Sequence, residues 1–263
     1  MALLPLKDEN KIINIKFQYV TLIIIISCVT AFLWQVSLGV EQNKIIYALG
    51  TIPTVLFGTK ELAPNLTILP ESLTIFTNLF LHGGWMHLIF NMLFLWVFGD
   101  NIEDSMGHLR FILFYFICGV LATITHATIE SNSNVPLIGA SGAISGVLGA
   151  YLILHPKARV LVLFMNIIPL RLPAIVVLGF WIGIQFFNLN SENGIAWWAH
   201  IGGFTAGMVL IIPFKKKKFA LHNPWKSFNA ARTRASSSRV LKRSTSIFPN
   251  SLSKNYFKDN KKR

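Results

Sequence analysis

The chain of 263 residues is far more apolar than an ordinary soluble domain of this length. Hydrophobic residues make up 53% of the sequence and charged residues only 13%, against roughly 25% charged residues in soluble domains. Residues 215 to 263 contain 15 of the 24 Lys and Arg but only one of the 11 acidic residues, so the net charge of +13 belongs to this tail. The composition argues against a soluble globule, a disordered chain and a compact nucleic-acid-binding domain.

Long uncharged windows separate the charged residues, and a helix needs about 20 apolar residues to cross the hydrocarbon core of a membrane. Six windows meet this requirement, which predicts an all-α membrane protein with six spans. They cover residues 17–40, 72–99, 111–129, 131–156, 172–191 and 193–214. A shorter apolar piece, residues 160–170, lies between Arg159 and Arg171, and we predict that it is an interfacial loop.

The positions of Lys and Arg predict the orientation, because these residues are retained on the cytoplasmic side. With the N-terminus inside, only Lys44 and Lys60 fall on the outer side. We therefore predict a cytoplasmic N-terminal segment over residues 1–16, a helical core over residues 17–214, and a basic, disordered cytoplasmic tail over residues 215–263. Because the tail follows a span directly, anionic lipids are its expected partner and nucleic acid is not.

Three clusters of polar residues lie inside the windows, although polar groups are costly within a membrane and usually mark function. The windows that carry them are the second, fourth and sixth, which run in the same direction across the membrane. Their polar residues are therefore expected at a similar depth near the outer face. The clusters comprise His82, His87 and Asn91, then Ser141 and Ser145, and finally His200.

A metal site is one interpretation of these clusters, since His82, His87 and His200 could supply three ligands. The sequence has no HExxH motif, and none of the windows contains an Asp or Glu to act as a general base. We therefore predict neither a metal nor a cofactor.

A serine with a histidine is sufficient for acyl transfer, because the imidazole accepts the hydroxyl proton as the oxygen attacks a carbonyl. Ser141 and His200 would form such a dyad, and His87, the Asn91 amide and the Ser141 backbone N–H are the available donors to the oxyanion. Other interpretations stay open at this point. Ser141, between Gly139 and Gly142, could be a small residue for helix packing, and His200 could be an interhelical hydrogen-bond donor.

The polar clusters belong to longer motifs between residues 80 and 207. The motifs are FLHGGWMHLIFNMLFLWVFGDNIED, an E-x-x-x-G-x-x-R formed by Glu103, Gly107 and Arg110, GASGAISG and AHIGGFTAG. Together they resemble the rhomboid family of intramembrane serine proteases.

The resemblance implies a six-transmembrane-helix bundle in the bacterial cytoplasmic membrane that cleaves transmembrane protein substrates. It implies Ser141 as the nucleophile, His200 as the base, and His87 and Asn91 as oxyanion donors. His82 matches a family histidine near the active site. Gly139, Ser145 and His82 are assigned to the vicinity of the site without a role.

The chain departs from the family pattern at two places. Some members have a Tyr one helical turn after the serine, where this chain has Ser145, and Trp197 or Trp198 are the expected substitutes. The outer loop also lacks the Trp-Arg pair of some relatives. A non-catalytic protein that binds single-span clients is the alternative function, although the presence of both dyad residues favours the enzyme.

Glycines are expected to bring the two dyad helices together. Gly203 and Gly207 form a G-x-x-x-G pair just after His200, and Gly142 follows Ser141 directly. Small residues at this spacing allow helix backbones to approach closely in a membrane.

Overall fold

The computed structural model describes residues 3–165, 167–189, 191, 194–217 and 219, and helices dominate this part of the chain. The helices are α1 (Tyr19–Ser37), α2 (Gln42–Leu49), α3 (Pro53–Leu56), α4 (Thr74–Thr77), α5 (Trp85–Met106), α6 (His108–Ile129), α7 (Ser141–Leu154), α8 (Ala174–Phe187) and α9 (Trp197–Phe214). Single 3₁₀ turns lie at Gly39–Glu41, Glu71–Leu73 and Asn78–Phe80, and the strands are β1 (Leu3–Asp8), β2 (Arg159–Phe164) and β3 (Ile168–Pro173). Most of the predicted tail, residues 220–263, lies outside the described residues.

Among the described residues, three helices are long and apolar enough to cross a membrane, namely α1, α6 and α9. The short helices of Glu71–Phe80 and α5 form a pair bent by 80°, which would make one broken span. The apolar helices α7 and α8 have 14 residues each, or about 21 Å at a rise of ~1.5 Å per residue, which is less than the ~30 Å hydrocarbon core. The predicted helical membrane bundle is confirmed, whereas the prediction of six full spans stays a prediction.

Helix α7 lies at the centre of the bundle and makes its most extensive contact with α9. A Cβ atom on Gly203 would overlap the carbonyl oxygen of Gly142, and one on Gly207 would overlap that of Gly146. The two helix backbones therefore touch at these glycines, at the spacing noted in the sequence.

Residues 160–170, predicted to be an interfacial loop, belong instead to the hairpin β2–β3. Strand β1 pairs antiparallel with β2, which completes a three-stranded sheet in the order β1-β2-β3. The sheet buries Val160 and Val162, and branched apolar residues of this kind favour strands. The sheet was missed because its pairing partner lies about 150 residues earlier in the chain, beyond the reach of any local pattern.

Helix α5 continues past Gly99, where the charge-free window ends, and carries Glu103 into the interior. Glu103 has no exposed surface and accepts hydrogen bonds from the backbone N–H groups of Val20 (3.0 Å) and Thr21 (2.9 Å) and from the Thr21 hydroxyl (2.7 Å). The oxygen that accepts the Val20 N–H, Oε1, also lies 2.5 Å from His108 Nδ1. The second window therefore ends before α5 does, and the first N–H groups of α1 supply the donors that the buried carboxylate needs.

Candidate active site

The N-terminus of α7 is fixed by the residues that precede Ser141. Gly139 donates its N–H to the Asn78 carbonyl oxygen at 2.9 Å and has a φ of +120°, which side-chain-bearing residues rarely adopt. A Cβ atom at this position would also overlap the His87 ring. Glycine is therefore required here, and it places Ser141 as the first residue of the helix, where backbone N–H groups have no intrahelical acceptor.

Ser141 and His200 come from different helices and form a hydrogen bond. The Ser141 Oγ lies 2.9 Å from the His200 Nε2, within the range of about 2.6 to 3.2 Å that proton transfer requires. The close approach of α7 and α9 at Gly142 and Gly203 brings the two side chains together. The arrangement can therefore pass a proton from the hydroxyl to the imidazole.

The opposite side of the His200 ring meets a residue that the sequence analysis did not single out. The Gln185 Oε1 lies 2.8 Å from the His200 Nδ1, and Gln185 is only 4% exposed. A signal was present, because Gln185 is a polar residue inside the apolar window 172–191, the same criterion that selected the other clusters.

Two tryptophan rings lie beside the His200 imidazole. The Trp181 ring lies 5.9 Å from the His200 ring, tilted by 38°, and the Trp197 ring lies 6.2 Å away at 88°. Trp198, the other expected substitute, lines the neighbouring cavity. The imidazole thus has an aromatic neighbour on α8 and another on α9, and the replacement of the family tyrosine by Trp197 or Trp198 stays a prediction.

The remaining predicted residues lie at the start of α5. The His87 Nδ1 accepts the Gly83 N–H at 3.3 Å, and the ring faces Gly139. Asn91 is 7% exposed, and its Nδ2 is buried without an acceptor in the described part of the chain. An unsatisfied buried donor costs about 1 to 3 kcal/mol, so a donor kept next to Ser141 calls for a functional explanation.

His82 lies in the break between the two parts of the bent pair and is fully buried. Its Nδ1 lies 3.1 Å from the Phe80 carbonyl oxygen, and its ring meets the His87 ring edge-on at 5.1 Å. No group of three possible metal-binding side chains exists among the described residues. The His82 ring therefore packs against the His87 ring.

Ser145 lies one turn after Ser141 and is fully buried. Its hydroxyl donates to the Ser141 carbonyl oxygen at 2.6 Å, the backbone bond that serines within helices commonly make. The Ser145 hydroxyl is thus engaged within its own helix.

A cavity of about 1310 Å³ opens in front of the dyad, between α5, α7, α8 and α9. His87, Asn91, Ser141, Gln185 and His200 contribute its polar groups. The walls are mainly apolar and include Phe90, Phe94, Ile144, Leu148, Val177, Phe180, Trp181 and Ile184. The cavity is therefore suited to an extended peptide with apolar side chains.

The chain is similar to characterised proteins over the region that contains the whole site. The family model described as Rhomboid domain matches residues 70–217. Rhomboid protease GluP of Bacillus subtilis (strain 168) is 31% identical over 200 residues, which are 76% of this chain and 36% of that protein.

Similar proteins also occur in eukaryotes. RHOMBOID-like protein 4 of Arabidopsis thaliana is 36% identical over 133 residues, covering 49% of this chain and 31% of that protein. The mitochondrial Rhomboid protein 1 of Saccharomyces cerevisiae (strain ATCC 204508 / S288c) is 31% identical over 136 residues, covering 46% of this chain and 39% of that protein. The chain thus spans less than half the length of each of these relatives.

Proposed function

Because the chain belongs to the rhomboid family, we propose that it is an intramembrane serine endopeptidase that cleaves transmembrane or membrane-anchored proteins near the outer membrane face. The observation that carries this proposal is the hydrogen bond of 2.9 Å between Ser141 Oγ and His200 Nε2. This pair lies at an apolar cavity large enough for several residues of a substrate.

The proposed reaction begins when the Ser141 Oγ attacks the scissile carbonyl carbon and the His200 Nε2 accepts the hydroxyl proton. The tetrahedral intermediate then loses its amine, which receives that proton, and the substrate acyl group stays on Ser141 as an ester. A water molecule hydrolyses the ester in a second round, in which His200 again acts first as base and then as acid. No cofactor is needed for either step.

The proposed oxyanion site consists of the Asn91 amide, the Ser141 backbone N–H at the start of α7, and His87. The Asn91 Nδ2 lacks a protein acceptor within the described residues, so the free enzyme bears its desolvation cost. A negatively charged oxygen restores the missing bond only during the reaction. Such a donor therefore stabilises the transition state more than the bound substrate, which is the requirement for raising kcat.

The chain is an integral membrane protein, since it combines the rhomboid domain with several apolar helices. We further propose six spans, both termini in the cytoplasm, and the bacterial cytoplasmic membrane as the location. Strand β1 pairs with β2, which lies in the connection between α7 and α8. This pairing supports one part of the proposed topology, in which residues 1–16 and that connection lie on the same face of the membrane. The basic tail is proposed to contact anionic lipids rather than nucleic acid.

The proposal is tested with the purified full chain in detergent, incubated with a fluorophosphonate probe and with a fluorogenic transmembrane substrate. The wild-type chain is expected to be labelled and to release product, and a Ser141→Ala variant is expected to do neither. If the wild-type chain binds the substrate but shows neither labelling nor cleavage, under conditions that label an active relative, the chain is a non-catalytic binder of single-span clients.

A further inference from the structure

Gln185 is the one carboxamide in α8, a helix that is otherwise apolar. Its side chain is almost fully buried, and a buried amide is costly unless both its oxygen and its nitrogen are hydrogen-bonded. Gln185 meets this condition with a backbone carbonyl oxygen and a histidine ring nitrogen as its two partners. The nature of these partners determines how the amide is oriented.

The Gln185 Nε2 donates to the Trp181 carbonyl oxygen at 2.8 Å. A backbone carbonyl only accepts hydrogen bonds, so the NH₂ group must face it, and the Oε1 must then face the His200 Nδ1 at 2.8 Å. The reversed amide would place its oxygen against the Trp181 carbonyl oxygen and lose that hydrogen bond. The α8 backbone therefore fixes which end of the amide the histidine meets.

The amide oxygen in turn fixes the proton on His200. Because Oε1 only accepts, the His200 Nδ1 must carry the ring proton, which leaves a lone pair on Nε2. This lone pair faces the Ser141 Oγ at 2.9 Å. The hydrogen bonds thus run in one direction, from the Ser141 hydroxyl through His200 and Gln185 to the Trp181 carbonyl.

We propose that Gln185 is a positioning residue that holds His200 in the tautomer able to accept the Ser141 proton. This role rests on the proposed function and deepens it, because it turns the dyad into a hydrogen-bonded chain of three side chains. The Trp181 and Trp197 rings restrict the plane of the imidazole, but a ring contact does not select a tautomer. A neutral amide orients the histidine without placing another charge inside the membrane region, where a carboxylate is costly.

The first test replaces the amide by an apolar side chain of similar length, Gln185→Met. We expect kcat to fall by about 10²-fold, the scale of a misplaced catalytic group, while KM changes less than about twofold. In ¹⁵N NMR of the histidine-labelled protein in detergent, wild-type His200 is expected to show a protonated Nδ1 and a bare Nε2. The Met variant is expected to show a mixture of tautomers.

A second variant, Gln185→Glu, separates positioning from packing. A carboxylate can still accept the Nδ1 proton, so this variant is expected to be more active than Gln185→Met despite its buried charge. The carboxylate also favours the imidazolium form, so the acid limb of the kcat pH profile is expected to move to higher pH. If Gln185 only packed α8 against α9, the buried charge would make Glu a more harmful replacement than Met.

Gln35 provides a matched control, because it is a fully buried glutamine that donates to the His82 carbonyl oxygen at 2.7 Å from α1. Gln35→Met should leave the His200 tautomer and the kcat pH profile unchanged. A Gln185→Met variant that keeps the wild-type tautomer and kcat, in a preparation whose wild type is labelled at Ser141, would overturn the proposal. Failure of the wild type to label would instead count against the protease function, while the NMR measurement would still decide the role of Gln185.

Discussion

The two ends of α5, called inner (Met106) and outer (Trp85) after the proposed orientation, both bury polar side chains but treat them in opposite ways. At the inner end, the carboxylate of Glu103 accepts hydrogen bonds from α1 on both oxygens and also contacts His108. At the outer end, the Asn91 Nδ2 is equally buried and has no acceptor in the described part of the chain. The satisfied Glu103 carboxylate stabilises the fold, whereas the unsatisfied Asn91 donor is the one proposed to bind the oxyanion.

The inner end also gathers segments that are distant in the sequence. Asp104 accepts the backbone N–H groups of Ile13, Asn14 and Ile15, so the N-terminal segment is attached to α5 before α1 begins. Asp8, at the end of β1, accepts the Tyr151 hydroxyl at 2.6 Å, which connects the same segment to α7. The inner end therefore anchors the chain, and the outer end is free to carry chemistry.

The largest effect is expected at the dyad near the outer end of α5, from Ser141→Ala and from His200→Ala. Each change should lower cleavage by about 10⁴-fold or more, and the double variant should be no worse, because nucleophile and base act as one unit. Rates of substrate cleavage and the thermal unfolding temperature in detergent provide the measurements. The unfolding temperature should stay close to that of the wild type.

Ser145→Ala is the matched control for the nucleophile, since its hydroxyl donates to the Ser141 carbonyl oxygen within its own helix. It should keep most of the activity. Inactivity equal to that of Ser141→Ala, in a folded protein, would contradict the assignment of Ser141.

Asn91→Ala tests whether the unsatisfied donor acts in the transition state. The change should lower kcat by about 10²- to 10³-fold with little change in KM, as loss of one oxyanion donor does. Stability should not fall, because no protein hydrogen bond is lost among the described residues. A rise in KM alone would show that Asn91 positions the substrate instead.

Gly203→Val tests whether backbone contact sets the distance between the dyad residues. A side chain here meets the Gly142 carbonyl oxygen, so α9 must shift outward, and a displacement of about 1 Å can cost about 10²-fold in rate. Gly179→Val in α8 is the control, because a Cβ at Gly179 would meet no described atom within 4 Å apart from the nearby backbone of its own helix. Full activity of a normally abundant Gly203→Val protein would show that other contacts set the geometry.

Glu103→Ala tests the inner end of α5, where we expect a loss of stability without a loss of catalytic rate. Removing the carboxylate leaves the N–H groups of Val20 and Thr21 without their partner, at a cost of about 1 to 3 kcal/mol for each buried donor. The unfolding temperature in detergent should therefore fall, while kcat of the remaining folded protein stays near that of the wild type. Glu61→Ala, on the exposed outer loop, should change neither quantity.

The smallest effect is expected from Asp8→Asn. Burial raises the pKa of the Asp8 carboxyl, against the opposing hydrogen bond from Tyr151. The folded chain therefore binds this proton more tightly than the unfolded chain, and stability decreases as the pH rises from the unfolded towards the folded pKa. Asn keeps an oxygen for Tyr151 and cannot ionise, so the variant should show a flatter dependence of unfolding temperature on pH in this range. An unchanged pH dependence would show that Asp8 does not contribute to it.

The sequence by itself determined the membrane character, the helical class and the family, because all three depend on local composition and motif spacing. The charge-free windows correspond in order to α1, the bent pair, α6, α7, α8 and α9. Their boundaries were less accurate, because a charged residue ends an apolar window without ending the helix. Glu103 has such partners on α1, so α5 continues well beyond its window.

The tertiary structure alone decided the sheet and the environment of His200. The pairing of β1 with β2 joins residues about 150 positions apart, and no sequence periodicity encodes such a partner. Gln185 was visible as a polar residue in an apolar window, but its hydrogen bond to His200 required α8 and α9 to be placed side by side. Local sequence patterns indicate whether a segment lies in the membrane or in water. The direction of a hydrogen bond depends instead on the packing of helices that are separate in the chain.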